Sequence, residues 1–489
     1  MYTSRGSSRG VGFLGRAHYS YKSRYIVSAT LRRDGSTKFG TGSRWGNFPG
    51  VSVKWIISDE PFMDFAKGFV SMFAIRPNWG LSGREPGHDY LHYSRYANIG
   101  SYLGNTATVP TTLRLPDLKW ETNSTFNYGA DLAFLDDRFV FDFNAYNKRT
   151  YDLLFEKKLL PGTSGYENIS WSNVGIMDNY GYELNFYANK AITAGKFSVD
   201  LNFNISNNIN EIVDLDDAVL EQLNPEFEYN NGKYLTRLEE GHSFGSIYGF
   251  KYKGVYQYDE YLEGVRENAP VARDIQNRVL TDEMGEPLPM TFGYGTTSQY
   301  TFRGGDAIYE DINHDGTIDE LDIVYLGNSN PLFNGGFGTT MRYKNFFCVM
   351  FFNFRVGNKI VNGARMTAEN MYGYDNQSIA VNWRWRKDGD KTEIPRALYD
   401  HGYNWLGSDR FVEDGSFLRF KYLQFNYTVP TSSLKRYNLD KLSFYLNFNN
   451  LAVFSKYTGV DPEVGYGGWG VATDNSRTPR PKDVTLGIS

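Results

Sequence analysis

Cysteine occurs once, at Cys348, so the chain can form no internal disulfide and a cysteine-based zinc site is implausible. No apolar run is long enough for a membrane-crossing helix. There is no basic excess either. Lys and Arg number 51 against 56 Asp and Glu, a net charge of −5, which leaves no electrostatic footprint for nucleic acid.

What is plentiful is aromatic residues, at 17% with 37 Tyr and 35 Phe, together with 50 Gly. Tyr and Phe suit strands and membrane-interface belts, and Gly suits turns and bends. The stretch from Phe126 to Lys148 shows how they are arranged. Phe126, Tyr128, Ala130, Leu132 and Phe134 share one face, while Asn127, Gly129 and Asp131 share the other. After Leu135-Asp136-Asp137-Arg138, Phe139, Phe141, Phe143 and Ala145 alternate with Val140, Asp142, Asn144 and Tyr146. A period of two means strands, and two such arms around a polar turn mean an antiparallel hairpin. Arms of about ten residues suit tilted membrane-crossing strands better than soluble ones. In a barrel wall the polar face would meet a watery lumen and the aromatic face lipid.

The same alternation marks Val11 to Tyr21, Arg24 to Arg33, Val51 to Ile57, Phe69 to Leu81, Tyr182 to Ala188 and Phe197 to Ile205. It resumes over Phe337 to Tyr343, the segment ending at Val429, Leu442 to Phe448 and Val484 to Ile488, while Phe346 to Phe354, with Cys348 inside it, is almost continuously apolar and reads as a further strand. Short turns are expected near 22, 136, 194, 345 and 435, and a medium one over 59–68. Long loops are expected near 40, 100, 165, 210–334, 360–415 and 455–480. Short on one side and long on the other is the outer-membrane barrel pattern, periplasmic and extracellular respectively. Because the turns at 194 and 345 are both short, an even number of crossings must separate them. The Gly/aromatic piece Ser246–Tyr256 therefore belongs to an extracellular insertion, not to the wall. The division is wall strands and loops over 1–208, an insertion over 209–334, and wall strands and loops over 335–489. The count is about thirteen crossings, an odd number that would leave raw edges. It predicts more strands N-terminal to Met1. The start agrees, since Met1-Tyr2-Thr3-Ser4-Arg5 leads into a Gly/Ser-rich stretch with no apolar leader, so a fragment is expected.

Several phrases resemble the C-terminal part of the SusC/RagA family of TonB-dependent outer-membrane transporters of Bacteroidetes. They are Gly12–Arg33 with Asp34-Gly35-Ser36, Arg44–Pro49 (RWGNFP), Leu118–Thr122 (LKWET), Glu240–Tyr256, Gly305–Pro331, Arg410–Pro430 and Asn449–Val464. The resemblance implies an all-β fold, a transmembrane antiparallel barrel of about twenty-two strands around a plug. This chain would supply about thirteen of the final strands and the long extracellular loops, with plug, early strands and TonB box absent. It further implies import of nutrients, mostly glycans and sometimes peptides, with a SusD-like surface lipoprotein and energy from the TonB complex.

The sharpest motif is Asp311-Ile-Asn313-His-Asp315-Gly316-Thr317-Ile-Asp319-Glu-Leu-Asp322. Oxygen side chains stand at positions 1, 3, 5, 9 and 12, Gly at 6 and a carbonyl at 7, the spacing of a calcium loop with Asp replacing the usual final Glu. The expectation is a structural Ca2+ held by Asp311, Asn313, Asp315, Thr317, Asp319 and Asp322; the plainer reading is an acidic surface turn. Gly241-His242-Ser243-Phe244-Gly245 matches G-x-S-x-G. An aromatic strand-like run follows it where a nucleophile elbow needs a helix, so a catalytic serine is not expected. His88 and His92 stand four apart without a third ligand and read as surface histidines. Trp171, Trp383, Trp385, Trp405, Tyr466 and Trp469 fall in the predicted extracellular loops. There they could stack on sugar faces while polar neighbours bind hydroxyls; packing between loops, or contact with the lid, is the plainer reading for any one of them. No enzyme activity is expected. The alternative class is a soluble secreted all-β glycan-binding protein whose aromatic faces form sandwich cores.

Overall fold

Thirteen strands join edge to edge in a single antiparallel sheet, each beside its sequence neighbour in the wall. They are β1 (Gly10–Tyr21), β2 (Tyr25–Ser36), β3 (Trp45–Ile56), β4 (Val70–Arg84), β5 (Glu121–Phe134), β6 (Phe139–Tyr151) and β7 (Ile176–Ala194). The remainder are β8 (Phe197–Asp214), β9 (Phe333–Tyr343), β10 (Phe346–Val356), β11 (Phe417–Thr428), β12 (Ser443–Ser455) and β13 (Asp483–Ile488). The computed structural model describes residues 7–159, 168–217, 219–220, 234, 237–294, 298–465 and 470–489.

The register carries the face assignment from strand to strand. Leu132 pairs with Phe141, Phe141 with Phe186, Phe186 with Phe203 and Phe203 with Phe337, so one aromatic face runs unbroken across β5 to β9. Cys348 pairs with Phe425 and shares that face on β10. The rings on it are not covered by a second sheet: Phe126, Tyr128 and Phe143 stay 48%, 60% and 39% exposed. The largest fully buried side chains, among them Phe250, Phe292, Phe302, Leu406 and Phe411, lie instead in the loops, Ile212 on β8 excepted. An exposed aromatic wall under a buried loop core is the inverse of a soluble sandwich, and it removes the alternative of sandwich cores.

At the far end of the outer face, away from the short turns, the chemistry changes. Arg149 stands opposite Asp178 and donates to it twice, at 2.7 and 2.6 Å. This pair closes the apolar band from above, as a membrane-facing barrel wall requires. Proline has one clear effect inside the sheet. The β3–β4 ladder lapses between Ser52–Asn78 and Trp55–Ile75, where Pro77 brings no N–H.

Some boundaries differ from the sequence expectation. The long loop expected near residue 40 is confined to residues 37–44, because β2 continues through Ser36 and β3 starts at Trp45. Gly35 and Gly46 permit this: a Cβ there would fall 2.8 Å from the Trp45 ring and 2.4 Å from the Phe48 ring, so each ring lies over a glycine. β7 and β8 are 19 and 18 residues long, well beyond their apolar cores. Past the apolar band Asn207, Asn208 and Asn210 break the alternation on β8. β8 thus runs past residue 208, and β9 begins just before 335.

The loops fold into a crown with its own small sheets and cores. Hairpins form over Arg95–Tyr102 with Asn105–Thr112, and over Leu154–Leu159 with Asn168–Asn173. Ser246–Gly249 pairs with Val324–Asn328, and Tyr252–Val255 with Ala307–Tyr309, all outside the wall. Phe250, Phe292, Phe302, Tyr309 and Ile318 pack there with Leu406, which arrives from the loop between β10 and β11. Arg396 from the same loop donates to the fully buried Asp306 at 2.7 Å, so two distant loops share one core.

Candidate functional site

The face opposite the aromatic one is built for water. On β3, β4, β5 and β6 it carries Lys54, Arg76, Asp131 and Asp142 in one network. Lys54 Nζ lies 3.1 Å from Asp131, Arg76 Nε donates to Asp131 at 2.8 Å, and Arg76 Nη2 donates to Asp142 at 3.0 Å. Asn144 Nδ2 donates to Asp142 at 2.6 Å. Further round, the Tyr146 hydroxyl donates to Asn208 at 2.8 Å. Asn127, Asn353 and Asn447 each keep an amide oxygen that takes no hydrogen bond from the described residues. An amide-rich, ion-paired inner face under an aromatic outer one is a lumen lining. It offers donors and acceptors to a hydrated solute and no arrangement for covalent chemistry.

The crown carries the aromatic residues singled out from the sequence, and the structure treats them differently. Trp171 is buried with Phe39, Leu91, Leu118 and Leu154, where it packs loops together. Trp385 is half-buried; its Nε1 donates to the Gln257 carbonyl at 3.1 Å and its ring lies against Gly305. Trp405 is half-buried with its ring 6.1 Å from Tyr372. Trp383 alone among these four is open, at 65% exposure. Tyr466 and Trp469 lie outside the described residues. Sequence reasoning missed an exposed ring pair, Tyr374 and Tyr399, whose centroids are 4.8 Å apart. Neither sits in a strand pattern, so no periodicity signalled it.

The Asp311–Asp322 turn closes on itself. Asp311 accepts from the backbone N–H of His314, Asp315 and Gly316, and Asp322 accepts from Ile312 at 2.6 Å and Asp319 at 2.9 Å. Gly316 holds φ +86°, the left-handed conformation its position requires. Burial pushes the Asp322 carboxyl up to about 6 despite those N–H donors. The donors are all oxygen, the right chemistry for calcium. Yet among the described residues no three acidic, His or Cys side chains converge to hold a metal, so the side chains must turn from the backbone if an ion binds.

Ser243 lies on a turn followed by the Ser246–Gly249 strand, and its Oγ accepts from Asn328. With a strand in place of a helix after it, the elbow geometry is missing. His88 packs near Trp171 and His92 beside Tyr93; neither joins a metal-ligating group among the described residues.

Comparison with known proteins agrees with this geometry. The family model described as TonB dependent receptor-like, beta-barrel matches residues 1–264. TonB-dependent receptor P39 of Formosa agariphila is 31% identical over 490 residues, covering 97% of this chain and 45% of that protein. TonB-dependent receptor SusC of Bacteroides thetaiotaomicron is 27% identical over 500 residues, covering 98% of this chain and 43% of that protein. Among solved structures, that of the RagAB peptide transporter superposes with a TM-score of 0.75 at 22% identity, over 98% of this chain and 47% of the other. The chain spans less than half the length of these relatives.

Proposed function

We propose, since the chain belongs to the TonB-dependent receptor-like β-barrel family, that it forms the wall and loop crown of a nutrient importer of the SusC/RagA type. The protein sits in the outer membrane of a Gram-negative bacterium. The short turns then face the periplasm and the crown faces outward. Relatives of this family are receptors and transporters, not enzymes.

The observation that carries the reading is the split of the wall into an exposed aromatic outer face and an amide-rich, ion-paired inner one. In this proposal the cargo is a glycan, captured at the crown beneath a SusD-like lipoprotein and drawn inward at the expense of the TonB complex. Support for a glycan comes from open rings at Trp383, Tyr374 and Tyr399, which suit stacking on sugar C–H faces. The RagAB peptide transporter, whose fold this chain shares, makes peptide the cargo class to be separated from glycan.

The test is uptake of labelled oligosaccharides and labelled peptides by cells with and without the full-length protein. Protein-dependent accumulation of oligosaccharides alone supports the proposal. Accumulation of peptides alone overturns the glycan assignment, and accumulation of neither, with the protein present in the outer membrane, overturns import.

A further inference from the structure

The β3–β4 connection lies at the short-turn end of the wall, yet it is not a simple turn. It folds into helical turns over Ile57–Asp59 and Pro61–Ala66 and presents Phe62, Phe65 and Phe69 at 59%, 87% and 57% exposure. With about three residues per turn, Phe62 and Phe65 fall on one edge. Met63 and Ala66 turn toward the protein, and Asp64 pairs with Lys67 at 2.6 Å. Three bare phenyl rings on a short connection are costly in water.

Two independent contacts fix where this segment sits. Glu60 is buried and accepts from Trp55 Nε1 at 3.1 Å and from Arg24 at 3.4 Å. Trp55 stacks on Tyr25 on the outer face, with centroids 6.2 Å apart and planes 14° from parallel. Trp and Tyr at the end of a barrel's apolar band lie at headgroup level, with their polar tips toward water. At the other end of the segment the Phe69 ring lies 5.2 Å from Phe134, which continues to Phe141 at 6.2 Å and Phe186 at 4.6 Å on the outer face. Leu135 N–H donates to the Phe69 carbonyl at 2.8 Å, tying the segment to the next hairpin. The exposed rings are therefore continuous with the lipid-facing wall, and the polar side of the segment is hooked to its interfacial aromatics.

We propose that residues 57–69 lie in the plane of the periplasmic leaflet as a membrane anchor, with Phe62, Phe65 and Phe69 in the acyl boundary and Glu60 holding the segment to the wall. An amphipathic segment of this kind lies in the interface without spanning it. The anchor would set the depth of the wall from the periplasmic side, where the connections at 22–24, 135–138, 195–196 and 344–345 are too short to grip lipid. It rests on the membrane placement of the wall, and Cys348, on the outer face of β10, supplies a separate check on that placement.

The experiment is nitroxide labelling of the full-length protein in phosphatidylethanolamine–phosphatidylglycerol vesicles, comparing collision with oxygen, which favours hydrocarbon, and with a water-soluble nickel chelate. With any cysteine outside this chain replaced by alanine, labels are placed at native Cys348 and, in a Cys348→Ala background, at Phe62→Cys, Asp64→Cys and Phe65→Cys. The expected result is oxygen exceeding nickel several-fold at 62 and 65, the reverse at 64, and oxygen in excess at 348. Nickel in excess at 62 and 65 with oxygen in excess at 348 overturns the anchor and leaves the wall in the membrane. Nickel in excess at 348 as well overturns both. Should Cys348→Ala prevent folding, Phe65→Trp in the otherwise native chain decides: quenching by lipids brominated near the headgroup, beyond that of the native tryptophans, supports the anchor, and no added quenching overturns it.

Discussion

Asp131 and Asp142 stand directly opposite each other in the register of β5 and β6, and the guanidinium of Arg76 on β4 reaches both. Like charges facing across strands destabilise a sheet, so the arrangement depends on the cation between them. Gly129 makes the room: a Cβ there would lie 2.9 Å from the Arg76 guanidinium carbon. Arg76→Ala is expected to lower the stability of the wall by about 1–2 kcal/mol, less than for a deeply buried pair because these side chains keep some contact with solvent. Gly129→Ala should act in the same direction by displacing the guanidinium. The midpoint of the heat-induced mobility shift on gels measures both. Adding Asp142→Asn to Arg76→Ala should recover part of the loss; no recovery would mean that carboxylate repulsion is not the cause.

The outer face supplies a second prediction. Phe143 lies in the middle of the apolar band, whereas Tyr96 lies on a crown hairpin, and both are exposed. Exposure to hydrocarbon and exposure to water are indistinguishable by area, but a charge separates them. Phe143→Arg should cost about 2–4 kcal/mol, as for a cation near the midplane of a barrel wall. Tyr96→Arg should be neutral within about 0.5 kcal/mol. Yield of protease-resistant protein in vesicles reads the difference, and equal tolerance at both positions would contradict a lipid-facing wall.

How much of this was legible in the sequence follows from which contacts are local. The alternation of Phe139, Phe141 and Phe143 with Val140, Asp142 and Asn144 marks two faces without reference to anything else. β10 shows instead as an almost continuous apolar run, but the other twelve of the thirteen strands of the wall could be found that way. Strand ends could not. Trp45 to Pro49 reads as a loop because Gly46 breaks the pattern, although Gly46 seats the Phe48 ring as Gly35 on β2 seats that of Trp45. The crown was illegible for another reason. Asp306 and Arg396 meet across ninety residues, and Leu406 enters a core built mainly from residues 248–323, pairings that no periodicity encodes. Trp171 and Trp383 look alike in sequence as loop tryptophans, yet one is a core residue and the other is open.

Calcium at the Asp311–Asp322 turn is a proposal resting on donor chemistry and spacing, and it has a direct check. An extracellular module of this kind would bind with a dissociation constant of about 10⁻⁴–10⁻³ M. Calcium at a hundred times that constant should then stabilise the crown by about 2.7 kcal/mol. Magnesium should give little, since it demands a tighter octahedral site. Asp315→Ala removes an exposed candidate ligand that otherwise only accepts from the Thr317 N–H and the Asn313 amide, and it should abolish the calcium effect. Hydrogen exchange over 291–322 reports the outcome; identical protection with calcium and with chelator would leave a turn closed by its own hydrogen bonds alone.

Acid should loosen one seam of the crown before the rest. Glu413, in the short strand Val412–Asp414, accepts from the Thr458 N–H at 2.8 Å, the Thr458 hydroxyl at 2.7 Å, the Asn362 amide at 3.1 Å and Arg365 at 3.1 Å. It thereby joins the loop between β10 and β11 to the loop between β12 and β13. Burial by itself would raise this carboxyl, but the Thr458, Asn362 and Arg365 donors outweigh it and hold Glu413 below the ordinary glutamate value. A carboxylate whose folded value is depressed binds its proton more weakly folded than unfolded. Its stabilisation is therefore complete above the ordinary value of about 4.3 and is lost as pH falls through the lower, folded value. Protease cleavage between residues 456 and 465 is expected to be unchanged from pH 7 to 5 and to rise below about pH 4. Glu413→Gln should cost about 1–2 kcal/mol at pH 7, because the bonds it keeps are no longer charge-assisted. The variant should also lose the acid dependence of cleavage at that seam. A variant that opens with the same pH profile as the parent would place the titrating group elsewhere.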